Sequence, residues 1–208
     1  MHLLLTDRLN CPRCGSGFGL ILRADRLTER RVLEGALGCP NCRDRFPITD
    51  GFADLRPPPR TSFPDGEPVN STDTAELERI TALLGVVEGP GSIALVGSVA
   101  RYAGPLADRT PGVEVIAVAE QVRGDAERAG VSRMVSGLDL PFRPESLRAL
   151  ALSKGKAELL ERPEALIRLV LEGGRLVVEG PDARTGERLA NVGARVLAQD
   201  ERWLVAMR

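Results

Sequence analysis

Four cysteines decide what the first fifty residues of this 208-residue chain can become. Cys11-Pro12-Arg13-Cys14-Gly15 is answered by Cys39-Pro40-Asn41-Cys42, and there is no fifth cysteine. A Cys-x-x-Cys pair on a tight knuckle brings two thiolates within reach of one ion. Two such knuckles supply the four sulfur ligands that tetrahedral zinc prefers. Proline after the first cysteine presets φ, and Gly15 tolerates the positive φ that closes a knuckle. Two disulfides or a redox Cys-x-x-Cys would use the same residues. With no cysteine left over and no secretory signal, structural zinc held by Cys11, Cys14, Cys39 and Cys42 is the expectation. Four protein ligands leave no place for a catalytic water, so this metal is expected to hold a fold together.

Composition narrows the rest. An apolar fraction of 43% and a net charge of −1 describe a folded chain without the excess charge of a nucleic-acid coat. His2-Leu3-Leu4-Leu5 is too short for a signal segment, and Asp7 and Arg8 follow it at once. No apolar run reaches membrane-spanning length. A cytoplasmic location follows as the expectation, with no membrane and no DNA partner. Within residues 1–60, ten arginines face seven acids, a mild basic bias.

Residues 3–9 and 18–23 read as short strands, and 31–37 as a strand running into the second knuckle. Residues 24–30 read as a loop or a helical turn. Asp50-Gly51 is a tight-turn signal. Cys11-Pro12-x-Cys14, Cys39-Pro40-x-Cys42 and the tail Phe46-Pro47-Ile48-x-Asp50-Gly51 together resemble the small zinc-ribbon activator family, whose members bind and stabilise methyltransferases acting on tRNA, rRNA and release factors. The resemblance covers residues 1–56. Phe52-Ala53 departs from the aliphatic-proline continuation of that family. Ribbons of this kind also precede an rRNA methyltransferase family, so the resemblance implies partners more than chemistry.

Residues 57–70 hold five prolines and little apolar periodicity, and Pro57-Pro58-Pro59 favours a semi-rigid extended spacer. Beyond it, Asp73 is placed to cap a helix carrying Leu77, Ile80 and Leu84, with Gly85 ending it. Strand patterns follow at 93–96, 113–118, 133–135, 147–152 and 175–178. Helical patterns fall at 121–129 and 163–170, and 194–206 reads as a terminal β-hairpin. Alternation of this kind implies a doubly wound α/β sheet. Ile93-Ala94-Leu95-Val96-Gly97, the segment Leu140-Pro141-Phe142 and Glu172-Gly173-Gly174-Arg175 resemble, in order, the first strand, pre-strand-four and strand-five segments of class I S-adenosylmethionine (SAM) methyltransferases. The resemblance implies a Rossmann-like, seven-stranded α/β domain over 71–208.

Carried over residue by residue, the resemblance puts Gly97 and Ser98 in the cofactor loop, Glu120 near the ribose acid and Asp139 near the adenine acid. The pattern fails elsewhere. Leu95, Ala119 and Ser136 stand where acids normally sit, and Val99 and Arg101 are expected to obstruct the loop. After strand four, Ser153-Lys154-Gly155-Lys156 replaces any Asn-Pro-Pro-Tyr-like motif. Losing several charge-assisted bonds at about 1.5–3 kcal/mol each takes micromolar affinity out of range.

The leading expectation is therefore a non-catalytic pseudo-methyltransferase that binds a protein or ribonucleoprotein, with structural zinc and without SAM. The alternative is an active SAM-dependent enzyme with a divergent pocket using Gly97, Ser98, Glu120 and Asp139. A third reading is an RNA-binding module led by Arg13, Arg43 and Arg45, whose affinity would fall steeply with salt.

Overall fold

A computed structural model describes residues 1–63 and 73–208. The part of the expected spacer from 64 to 70 lies outside the described residues. In chain order the strands are β1 (Asn10–Cys11), β2 (Gly15–Gly19), β3 (Ile21–Thr28), β4 (Arg31–Gly38), β5 (Arg45–Thr49) and β6 (Phe52–Leu55). After α1 (Thr74–Leu84) come β7 (Gly91–Val96), α2 (Ala103–Arg109), β8 (Val113–Val118), β9 (Val131–Ser136) and β10 (Leu147–Leu152). The chain closes with α3 (Pro163–Ile167), β11 (Val170–Glu179), α4 (Thr185–Asn191), β12 (Arg195–Gln199) and β13 (Trp203–Met207).

Seven of these strands form a mostly parallel sheet in the order β12-β13-β11-β10-β7-β8-β9, with β13 inserted antiparallel between β11 and β12. That is the class I methyltransferase topology. Alternation sorts the strand residues onto two cores. Ile93 and Leu95 pack with Leu77, Ile80, Leu84 and Leu106 under α1 and α2. Ala94 and Val96 pack with Leu166 and Leu189 under α3 and α4. Asp73 caps α1 as expected, its Oδ1 accepting from the amides of Ala75 (2.9 Å) and Glu76 (3.3 Å), and Gly85 ends the helix in the left-handed region.

The sheet does not stop at β9. Strand β6 pairs with it in parallel, Phe52 opposite Arg133 through Leu55 opposite Ser136, and on its other side pairs antiparallel with β5. The order then continues β6-β5-β4-β3, giving eleven strands in one sheet. All four residues of β6 are buried, as a central strand requires. The ribbon core, with Leu5, Leu9, Leu37, Phe46, Ile48 and Leu55, is continuous with the core under α3 and α4. The ribbon is thus joined to the α/β part by backbone pairing and shared apolar packing, beyond the covalent chain.

Several local expectations need correction. Leu3–Arg8 is a 3₁₀ helix, not a strand, and it leads into a bridge between Leu9 and Phe142. Residues 18–23 are divided between β2 and β3. Residues 24–28 continue β3, and the chain reverses at Glu29 and Arg30, both at positive φ. The helix expected at 121–129 is only a 3₁₀ turn, Gln121–Gly124. The buried Arg133 explains this. Its guanidinium takes the carbonyls of Val122, Arg123 and Asp125, which a continuing helix would need for its own amides.

Candidate metal centre and cofactor cleft

The cysteine cluster forms where the two knuckles face each other. Gly15 follows the first knuckle at φ 78° and Arg43 follows the second at φ 63°, so both turn through the left-handed region. The Cys14 amide donates to Cys11 Sγ (3.4 Å), and Asn41 Nδ2 donates to Cys14 Sγ (3.3 Å). All four sulfurs lie within 4.8 Å of one another, with Cys11 to Cys42 at 3.7 Å and Cys39 to Cys14 at 3.9 Å. A tetrahedral ZnS₄ centre with Zn–S near 2.3 Å has S···S edges of about 3.8 Å. The donor set and its spacing therefore fit zinc, with no position left for a water.

The thiols show why a cation is needed. Burial and the neighbouring thiols push Cys42 up to about 12. Burial also raises Cys11. At Cys39 burial opposes ionisation, but the amides of Cys42 and Asn41 and the adjoining thiols outweigh it and bring the group down to about 7. Four sulfurs this close cannot all ionise without a positive charge between them.

The first knuckle is bonded directly to the α/β part. The Asn10 amide donates to the Pro141 carbonyl (2.8 Å), Asn10 Nδ2 to the Phe142 carbonyl (3.4 Å), and the Arg143 amide to the Arg8 carbonyl (2.8 Å). The segment Leu140-Pro141-Phe142 is thereby fixed by the ribbon. At the opposite end of β4, Arg31 is 8% exposed and donates to Glu127 (2.6 Å), Glu114 (2.7 Å) and the Val131 carbonyl. Arg133 reaches across the same seam to the Asp50 carbonyl and to Glu127 (3.3 Å).

The cleft at the carboxyl ends of β7, β8 and β9 is where a doubly wound sheet binds its ligand. Its cavity measures about 240 Å³ and is lined by Gly97, Ala119, Glu120, Ser136, Leu138, Lys156 and Leu159, among others. That is below the roughly 300–1,000 Å³ of ordinary ligand pockets. Gly97 and Glu120 meet there. Ser98 lies in an adjoining hollow of about 80 Å³ with Gly97, Arg101 and Asp125. Asp139 does not join them; it lines a separate cavity beside Cys11 and Pro12 and pairs with Arg162. Leu95 is fully buried in the α1–α2 core.

Of the two residues expected to obstruct the loop, Arg101 lines the hollow beside Ser98 and Val99 does not. Val99 is 2% exposed and packs down into the α1–α2 core, away from the ligand edge. The residues that crowd Gly97 are Ser153 and Lys156. Gly97 has φ 84°, and a β-carbon there would collide with Ser153 Oγ. Ser153 Oγ also accepts the Ser98 amide (3.1 Å) at the start of the loop after β7. Glu120, 44% exposed, has Arg56 Nη1 at 3.9 Å. Arg56 itself is gripped by both carboxylate oxygens of Asp54 at 2.9 and 2.8 Å. Phe63 is clamped between the guanidinium groups of Arg56 and Arg123, centroid distances 3.8 and 4.6 Å, and meets Phe52 edge-on. Arg56 carried no motif that would have singled it out, and Ser153 stood out only as the start of the stretch that replaces a catalytic motif after strand four.

Fold and site together define a zinc-ribbon-type cysteine cluster built onto a class I methyltransferase fold. Residues 2–51 match the family model described as Trm112p-like protein. No curated protein matches the chain. Among solved structures, one similar to it is a complex between the Haloferax volcanii Trm112 methyltransferase activator and a candidate methyltransferase. It has 18% identity and TM-score 0.50, covering 59% of this chain and 69% of that one. Another is the geranyl diphosphate C-methyltransferase of Streptomyces coelicolor A3(2), with Mg2+, geranyl diphosphate and S-adenosyl-L-homocysteine. It has 14% identity and TM-score 0.53, covering 65% and 79%. At such identities the likeness is one of fold. Among the described residues, no helix is long and apolar enough to cross a membrane.

Proposed function

We propose that the chain is a non-catalytic, methyltransferase-fold scaffold whose own zinc ribbon takes, within one polypeptide, the place of a separate activator. The observation that supports a non-catalytic role is the state of the cleft. Ser153 holds the loop amide of Ser98, Arg56 stands beside Glu120, and Leu95, Ala119 and Ser136 replace the acids of a SAM pocket. The intramolecular role rests on β6, which is paired on both edges and so offers none to a second methyltransferase. Zinc in the Cys11, Cys14, Cys39, Cys42 cluster keeps the first knuckle folded against Pro141 and Phe142. A protein or ribonucleoprotein partner would then be held by surfaces other than the ribbon–β9 seam.

The second reading, a SAM-dependent enzyme with a divergent pocket, is favoured by one observation. Glu120 follows the end of β8 at the cleft and is open enough to meet a ribose. Incubating the zinc-loaded chain with methyl-labelled SAM and total RNA or protein separates the two. The scaffold reading expects no incorporation above a chain-free control. Label transferred to any fraction in proportion to added chain would reject it.

A further inference from the structure

Lys154–Glu161, led in by the extended Ser153, borders the cleft in an unusual form. It is 3₁₀ rather than α-helical and is broken at Lys156, where φ is −120° and ψ 29°. Its start is tied to the sheet, because the Ser153 amide donates to the Val96 carbonyl (3.0 Å) at the end of β7. From there Ser153 Oγ takes the Ser98 amide (3.1 Å), and the Lys156 stem lies 3.1 Å from where a Gly97 β-carbon would sit. Lys156 Nζ then turns back to Glu158 (3.7 Å), and both side chains line the 240 Å³ cavity together with Leu159. We infer that this segment is an occluding strap over the cleft. Ser153 and Lys156 fill the space beside the glycine turn and satisfy its amide, so the polar tail of any nucleoside-type ligand is excluded by the chain itself.

The inference deepens the scaffold reading and rests on it, because it assigns the closed cleft to two side chains rather than to the missing acids alone. A hydroxyl already bonded to the loop amide must be displaced before a ligand can use that donor. A lysine stem packed over Gly97 removes the close backbone approach that glycine otherwise allows. Both groups are short-range and local, so removing them leaves the sheet pairing of β7 and β10 untouched.

The test uses the full zinc-loaded chain, Ser153→Ala and the double variant Ser153→Ala/Lys156→Ala, with S-adenosylhomocysteine as the probe. Amide exchange at Ser98 by NMR reports the strap directly, and calorimetry reports the cleft. The strap predicts at least tenfold faster Ser98 exchange in Ser153→Ala. It also predicts measurable probe heat in the double variant at a millimolar concentration where the parent gives none, with the melting temperature of the free protein within a few degrees of the parent. Unchanged Ser98 exchange, or no probe heat in a folded double variant, overturns it. The scaffold reading fails on a different result, methyl transfer by the parent chain, so the two failures are distinguishable.

Discussion

Replacing Arg133 by Met should weaken the whole molecule rather than one part of it. Arg133 is 3% exposed on β9, opposite Phe52 of β6. Its guanidinium serves the carbonyls of Val122, Arg123 and Asp125 on one side and Asp50 and Glu127 on the other. Methionine keeps the stem and most of the volume but strips partners from four carbonyls and one carboxylate. Removing one member of a buried charged network costs about 3–5 kcal/mol. Glu127 keeps Arg31 at 2.6 Å, so little uncompensated charge remains and the lower end applies, about 3 kcal/mol. For a chain of this length, each kcal/mol moves the melting temperature by roughly 2–4 °C, so a fall of about 6–12 °C is expected. Urea unfolding followed by Trp203 fluorescence and by zinc release should show one coincident transition. A loss below about 1 kcal/mol, or a ribbon that keeps its zinc after Trp203 is exposed, would refute the reasoning that the seam binds both parts into one unit.

Further outcomes follow from the same geometry. Cys14→Ser should release zinc and unfold the first knuckle, with exchange at the Asn10 and Arg143 amides rising, since metal binding supplies much of a ribbon's folding free energy; elemental analysis and hydrogen exchange check both. Arg43→Gly should stabilise the zinc-loaded protein by up to about 1 kcal/mol, because the residue sits at φ 63° where Gly15 serves the other knuckle; a fall in the urea midpoint would contradict the strain argument. Zinc affinity should drop at least about a hundredfold per unit as pH falls below 7. Cys11 and Cys42 are both held protonated there by raised pKa values, so at least two protons must leave for each metal bound. Competition with a chromophoric chelator at several pH values gives the slope, and a pH-independent affinity would sink the thiolate account.

The cysteine pairs, β8, β10, the terminal hairpin and the capped α1 were legible because each is a local signal: a spacing, an alternation, a cap. The β6–β9 seam was not. Phe52-Ala53-Asp54-Leu55 alternates weakly, and its partner strand lies some eighty residues away, a pairing that no local pattern encodes. The failed helix at 121–129 has helix-forming composition, and it was the guanidinium of Arg133 on the following strand that took its carbonyls. In the cleft, Ala119, Glu120 and Ser136 were legible by position as residues of the ligand edge. Ser153-Lys154-Gly155-Lys156 was legible as the stretch after strand four, but that Ser153 and Lys156 crowd Gly97 appears only when the fold brings them beside it.

The central claim is that this fold keeps the methyltransferase architecture without its cofactor. Calorimetric titration of the zinc-loaded chain with SAM tests it most directly. The account predicts no measurable heat and no thermal stabilisation at millimolar ligand. Micromolar binding at one site per chain would contradict it and return the cleft to catalysis.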